Sequence, residues 1–268
     1  MASVRTVPMV AALKIQSPQA ADLDYNLLKQ LAYAYGDHSY ADFVTQVPFD
    51  YYVQRVQELG FTGMDKVIDV GCGFGQWSAA LALFNGNVVA LERHEKRLGI
   101  AKALADHAGL SNVETCLSDA LTLPYENNSV DAVFCYGVLM FVHRGKGLDE
   151  FYRVLKPGGK LYVCTNGFGW WLQTFFKYFF KNPNARRSAW NGMCDKNGER
   201  VPNCTNLKDV PAVLSQHGFD LVAAAAEGTI CLLNDRKSAL SAYQPKFLGF
   251  DNVIEYVAKK KGLETLPG

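Results

Sequence analysis

The residues best suited to chemistry begin at Val67-Ile68-Asp69-Val70-Gly71-Cys72-Gly73-Phe74-Gly75. An apolar run ends in three glycines at alternate positions, and a helix is expected to start near Gln76. Glycine there lets the chain turn tightly and lets a ligand press against the main chain. Glu92 closes the next apolar run, Val88 to Glu92, 17 residues after Gly75. A strand-end carboxylate only accepts hydrogen bonds, so it suits the paired hydroxyls of a ribose. Asp119 follows a third run and could accept from the exocyclic amine of an adenine, while a neighbouring backbone N–H serves a ring nitrogen. Arg93 and Ala120 stand beside these two acids. A dinucleotide fingerprint requires glycine where Gln76 stands, which counts against NAD or FAD.

The elements that must position these residues follow a βαβ rhythm from Lys66 onward. Strands are expected at Val67 to Val70, Val88 to Glu92, Val113 to Cys116, Val130 to Tyr136 and Lys160 to Thr165. Helices are expected near Trp77 to Phe84, His94 to His107 and Gly147 to Leu155. The strands are continuous apolar runs, so both sheet faces should be covered by helices. Lys156-Pro157-Gly158-Gly159 reads as a turn. Before the strands, Leu23 to Tyr35 has helical spacing that Gly36 stops. A second helical piece runs from Tyr40, is bent or restarted at Pro48, and ends at Gly60. After them, Trp170 to Lys181 reads as an aromatic helix and Asn182 to Asn206 as polar and irregular. Leu207 to His217 reads as a helix, Phe219 to Ala226 and Thr229 to Leu233 as closing strands, and Asn252 to Lys261 as a final helix.

Together these residues resemble the class I, seven-stranded, Rossmann-like S-adenosylmethionine-dependent methyltransferases of the type 11 kind. The resemblance runs from about Lys66 to Thr165, with a weaker tail to Leu233. It also includes Leu123-Pro124-Tyr125, Ser129-Val130-Asp131-Ala132-Val133 and Tyr152-Arg153-Val154-Leu155-Lys156-Pro157-Gly158-Gly159. It implies an α/β fold: a doubly wound, mostly parallel seven-stranded sheet with an antiparallel terminal strand. Residues 1–62 would form an N-terminal helical arm and cover, 63–235 the core with an insertion at about 166–206, and 236–268 a C-terminal helical extension. It implies S-adenosyl-L-methionine as cofactor and S-adenosyl-L-homocysteine as product. Asp69, Gly71, Cys72, Gly73, Gly75, Glu92, Arg93, Asp119, Ala120, Cys135 and Tyr136 become the donor-binding candidates. By the same resemblance Tyr35 and Tyr40, which flank Gly36, would fold over the donor. Tyr136 and His143 are the candidates for chemistry on the acceptor. Trp170, Trp171 and Phe175 are the candidates for holding it.

Composition sets the remaining bounds. The chain has 268 residues, with 27 Lys and Arg against 26 Asp and Glu, for a formal charge of +1. That balance argues against a protein that grips nucleic acid over its whole surface. The seven cysteines include no CxxC pair and suit reduced thiols in the cytoplasm; only Cys194 and Cys204 share a polar stretch. No His, Asp or Glu spacing suggests a metal site. No apolar run reaches the roughly 20 residues of a membrane span, and Met1 to Ser17 reads as a loose arm. The insertion breaks the neutrality: from Phe151 to Cys194 there are seven cations and no acid, among many aromatics. The expectation is a methyltransferase, monomeric or homodimeric, acting on oxygen or nitrogen of a small organic molecule that is apolar, aromatic or anionic. An RNA-modifying enzyme and a non-catalytic donor-binding protein are the alternatives, and peripheral membrane contact stays open.

Overall fold

The computed structural model describes residues 23–195, 200–233 and 241–262. The expected arm at Met1 to Ser17 lies outside them. Three short helices come first: α1 (Tyr25–Ala34), α2 (His38–Val44) and α3 (Phe49–Glu58). The Asp24 carboxylate accepts from the backbone N–H groups of Asn26 and Leu27 and so caps α1. Gly36, at φ +80°, separates α1 from α2, and Pro48 precedes α3, as its spacing predicts.

The alternating part runs β1 (Lys66–Val70), α4 (Gln76–Ala82), β2 (Asn87–Glu92), α5 (Glu95–His107), β3 (Val113–Leu117), β4 (Val130–Tyr136), α6 (Arg144–Val154) and β5 (Leu155–Asn166). The Lys156-Pro157-Gly158-Gly159 turn lies inside the irregular start of β5, where the register with β4 shifts and Gly158 takes φ +76°. The insertion folds as α7 (Phe168–Lys177) and α8 (Pro183–Cys194). After it come α9 (Val210–Gln216), β6 (Phe219–Ala226), a small hairpin of β7 (Lys246–Phe247) and β8 (Phe250–Asp251), and β9 (Val253–Lys260). The main sheet has the order β3-β2-β1-β4-β5-β9-β6, with β9 antiparallel to both neighbours and the rest parallel. Apolar clusters fill both faces, one against α3 and α4 and the other against α6 and α9.

Three expectations need correcting. Asn252 to Lys261 is no helix: Val253-Ile254-Glu255-Tyr256-Val257 is β-branched and aromatic, and β9 is wedged between β5 and β6 with nearly every residue buried. The expected C-terminal helical extension therefore contributes a strand of the core sheet, and residues 236–240 and 263–268 lie outside the description. Asn182 to Asn206 is not irregular throughout. Its Asn-Pro punctuation is a helix start: the Asn182 side chain accepts from the Ala185 N–H and Pro183 sits at the first helical position of α8. Thr229 to Leu233 is no strand, because the Thr229 and Ile230 N–H groups donate to the Glu255 carboxylate instead of to a ladder.

Candidate functional site

The parallel strands end together on one edge, and β6 points the same way as β5 because β9 opposes both. Ligands of doubly wound sheets collect at this carboxyl edge. The glycine loop after β1 is strapped to β2: the Gly71 and Cys72 N–H groups donate to the Leu91 carbonyl at 2.7 and 2.9 Å. Gly71 and Gly73 take φ +73° and +59°. A Cβ on Gly71 would run into Val138, and one on Gly73 into the Tyr40 hydroxyl. Only glycine meets both demands, positive φ and bare approach.

This loop forms one wall of a cavity of about 270 Å³, whose lining includes Glu92, Arg93, Arg97, Asp119, Ala120, Tyr136 and Tyr40. The Glu92 carboxylate is buried and accepts from the backbone N–H groups of Gly73, Arg93 and His94 at 3.2, 2.9 and 3.0 Å. Those bonds fix its position at the end of β2. Asp119 accepts from the Leu121 N–H at 2.9 Å, an Asx turn that aims the segment after β3. Tyr40 packs at a tilt on Phe74 with ring centres 4.7 Å apart, and the Arg97 guanidinium lies 4.6 Å from its ring. Burial raises the Tyr40 phenol to about 12, so it stays protonated above the loop.

A second cavity, about 380 Å³, opens beside the first. Tyr40, Gly71, Tyr136, Gly137 and Phe141 line both. The rest of its wall is mostly aromatic, including Tyr51, Tyr52, Trp77, Trp170, Trp171 and Tyr243. Behind Tyr136 stands Glu227, fully buried at the carboxyl end of β6. Its Oε1 accepts from the hydroxyls of Tyr51 and of Tyr136, the latter at 3.2 Å. Its Oε2 accepts from the Ser241 hydroxyl and the Ala242 N–H, both at 3.1 Å. Burial, then the charge of Glu255, raises the Glu227 carboxyl to about 7, against the pull of the Tyr51 bond and Arg55.

The structure sorts the sequence candidates. Gly71, Gly73, Glu92, Arg93, Asp119, Ala120, Tyr136 and Tyr40 converge on the smaller cavity. Cys72 lines the larger one instead, with Trp170 and Trp171. Asp69 lies under the loop, where the Ser78 hydroxyl donates to it at 2.6 Å and ties β1 to α4; burial raises its carboxyl to about 7. Gly75, at the start of α4, packs against Ala101. Cys135 is buried in the sheet interior. Tyr35 is exposed and faces a shallow cleft with Lys96 and Asp37. His143 precedes α6 and borders neither of the two cavities. Phe175 turns away to pack on Phe176, Phe179 and Trp190. All seven cysteines are free thiols. Among the described residues no group of acids, histidines and cysteines is arranged for a metal.

Sequence reasoning missed Glu227, Arg97, Trp77 and Phe141. For Glu227 a signal existed: it closes the apolar run Val222-Ala223-Ala224-Ala225-Ala226, as Glu92 closes β2.

The sheet order, the reversed β9 and the glycine loop under a strand-end acid define a Rossmann-like, class I methyltransferase fold. Residues 68–163 match the methyltransferase domain family. It is 40% identical over 101 residues to a demethylmenaquinone methyltransferase of Clavibacter sepedonicus, covering 37% of this chain and 40% of that protein. It is 29% identical over 233 residues to a sterol 24-C-methyltransferase of Gibberella zeae, covering 82% of this chain and 57% of that protein. The chain thus spans about half the length of these curated relatives. Among solved structures, an S-adenosylmethionine-dependent methyltransferase from Aquifex aeolicus aligns at TM-score 0.53 and 18% identity, over 88% of this chain and 98% of the other. The cyclase SpnF aligns at 0.56 and 20%, over 80% and 81%. The last match shows that this fold also serves a cyclase, so fold alone does not decide the reaction.

Proposed function

We propose that this protein transfers the methyl group of S-adenosyl-L-methionine to a small, largely apolar organic acceptor held in the aromatic cavity. The observation that carries this reading is the wall that the two cavities share, with Tyr136 at the junction and Glu227 behind it.

The residues present fit the donor. Gly71 and Gly73 bring bare main chain to the cavity wall, the Glu92 carboxylate would accept from a ribose, and Asp119 with Ala120 would meet the base. When bound, the donor supplies an electrophilic methyl on a sulfonium centre. The chain aligns the acceptor with it, and much of the acceleration comes from that orientation. The aromatic walls of Trp77, Tyr52, Trp170 and Trp171 would displace water from around a bound acceptor. An acceptor that gains a methyl and loses a proton needs somewhere to send the proton. Tyr136 accepts it at the phenolic oxygen while passing its own to Glu227, whose carboxyl is poised near neutrality.

The expected acceptor atom was oxygen or nitrogen. The relatives' names include a sterol C-methyltransferase, so an activated carbon joins them. An aromatic interior, with Glu227 recessed behind Tyr136 and Tyr51, suits a quinol-like, phenolic or isoprenoid acceptor better than an RNA base on its strand. The test is transfer from methyl-labelled donor into a lipid-soluble host extract, read by mass spectrometry. Labelled product should form, and Tyr136→Phe should lower kcat about 10²-fold, far more than it weakens S-adenosylhomocysteine binding. Donor binding without transfer to any fraction would favour the non-catalytic alternative.

A further inference from the structure

The α7–α8 hairpin carries a surface that the donor and acceptor cavities do not use. Phe176, Phe179, Phe180 and Trp190 are 57%, 37%, 93% and 55% exposed. They form one patch, because Phe175 lies beneath it with ring centres 5.9, 5.3 and 5.9 Å from Phe176, Phe179 and Trp190, and Phe179 holds Phe180 at 4.7 Å. Lys177, Lys181, Arg186 and Arg187 lie on the same hairpin, with Lys181 and Arg187 exposed. Two of them are tied to its aromatics: Arg186 lies 5.4 Å from the Phe179 ring and donates to its carbonyl, and Lys177 lies 5.2 Å from Tyr178. No acid occurs from Phe151 to Cys194.

An isolated exposed aromatic needs no explanation, but a joined cluster on a hairpin whose charges are all of one sign does. We propose that this hairpin tip docks on an anionic lipid bilayer. Phe180 and Trp190 enter the headgroup boundary while Lys181 and Arg187 meet the lipid phosphates, and the half-buried Lys177 and Arg186 stiffen the base. A second copy of the chain fits poorly, since joining two such faces would bring cations against cations. The base of the same helix lines the aromatic cavity through Trp170 and Trp171. Phe180 stands nine residues further along the chain, about 14 Å if α7's rise continued. Docking there would bring the aromatic cavity toward the bilayer, where an apolar acceptor dissolves; that last link rests on the proposed function, while the docking itself does not.

Co-sedimentation of the full chain with vesicles tests it. Binding is expected to vesicles of phosphatidylcholine with phosphatidylserine and not to phosphatidylcholine alone. It should fall at least tenfold in Phe180→Ser/Trp190→Ser and in Lys181→Glu/Arg187→Glu. The melting shift with S-adenosylhomocysteine should stay unchanged in both variants, which shows that they are folded. No binding to anionic vesicles, or binding that survives both variants, would overturn the proposal. So would single-stranded RNA or self-association that takes the same patch and excludes vesicles. Vesicle binding by a chain that shows no donor-induced melting shift would leave the docking surface standing and remove the methyl-transfer reading.

Discussion

Glu227 and Asp69 keep their protons longer than free carboxyls do, and this has a sign that can be measured. Burial is the main cause for both. Glu227 is faced by Tyr51 and Arg55 from α3, Tyr136 from β4, Cys164 from β5, Glu255 from β9, and Ser241 and Tyr243. Its folded value of about 7 exceeds the ordinary 4.5, and that of Asp69 exceeds 3.8. Between these values the folded chain binds more protons than the unfolded one, so stability falls as pH rises from about 4.5 to about 7. Glu227→Gln stays neutral across that window. Urea midpoints at pH 5 and pH 8 should therefore drop less in the variant than in the parent. Equal slopes would mean that Glu227 does not titrate there.

At the scale of elements, β9 and α3 are locked together by charge. Arg55 reaches Glu255 with two bonds of 3.0 and 2.9 Å, Glu58 at 2.6 Å and the Ile230 carbonyl at 2.7 Å. Glu255 also accepts from Tyr162 and from the N–H groups of Thr229 and Ile230. Both side chains are almost wholly buried. Removing one partner leaves the other charge uncompensated, so Glu255→Ala should cost about 3–5 kcal/mol in chemical denaturation. The insertion is attached differently. Asn203 donates to the carbonyls of Leu139 and Val142 and accepts from the Trp171 indole, tying α7 to the segment after β4 that lines both cavities.

For the whole molecule, the order β5-β9-β6 makes the last described strand indispensable. Without β9, β6 has no partner in the sheet and Glu227 loses its place at the edge. A chain ending before Val253 should give no cooperative melting transition and no donor-induced shift. A removable helical extension would have left both intact. The same closure explains how a chain of net charge +1 can hold two unlike surfaces: acids gather at the strand ends, and cations gather on the hairpin beyond them.

The sequence by itself determined what depends on neighbours along the chain. Gly71 and Gly73 at positive φ, Glu92 and Asp119 at strand ends, and the order of strands and helices from Lys66 to Thr165 are local properties of turn and periodicity. They were legible for that reason. Tertiary structure decided what depends on distant partners. Val253 to Lys260 is a strand because two others flank it, and Tyr40 rather than Tyr35 reaches the loop because α2 lies over it. Glu227 meets Tyr51 across 176 positions and Tyr136 across 91. No spacing in the sequence encodes those meetings; they arise because the sheet brings the ends of β4 and β6 and the face of α3 to one edge.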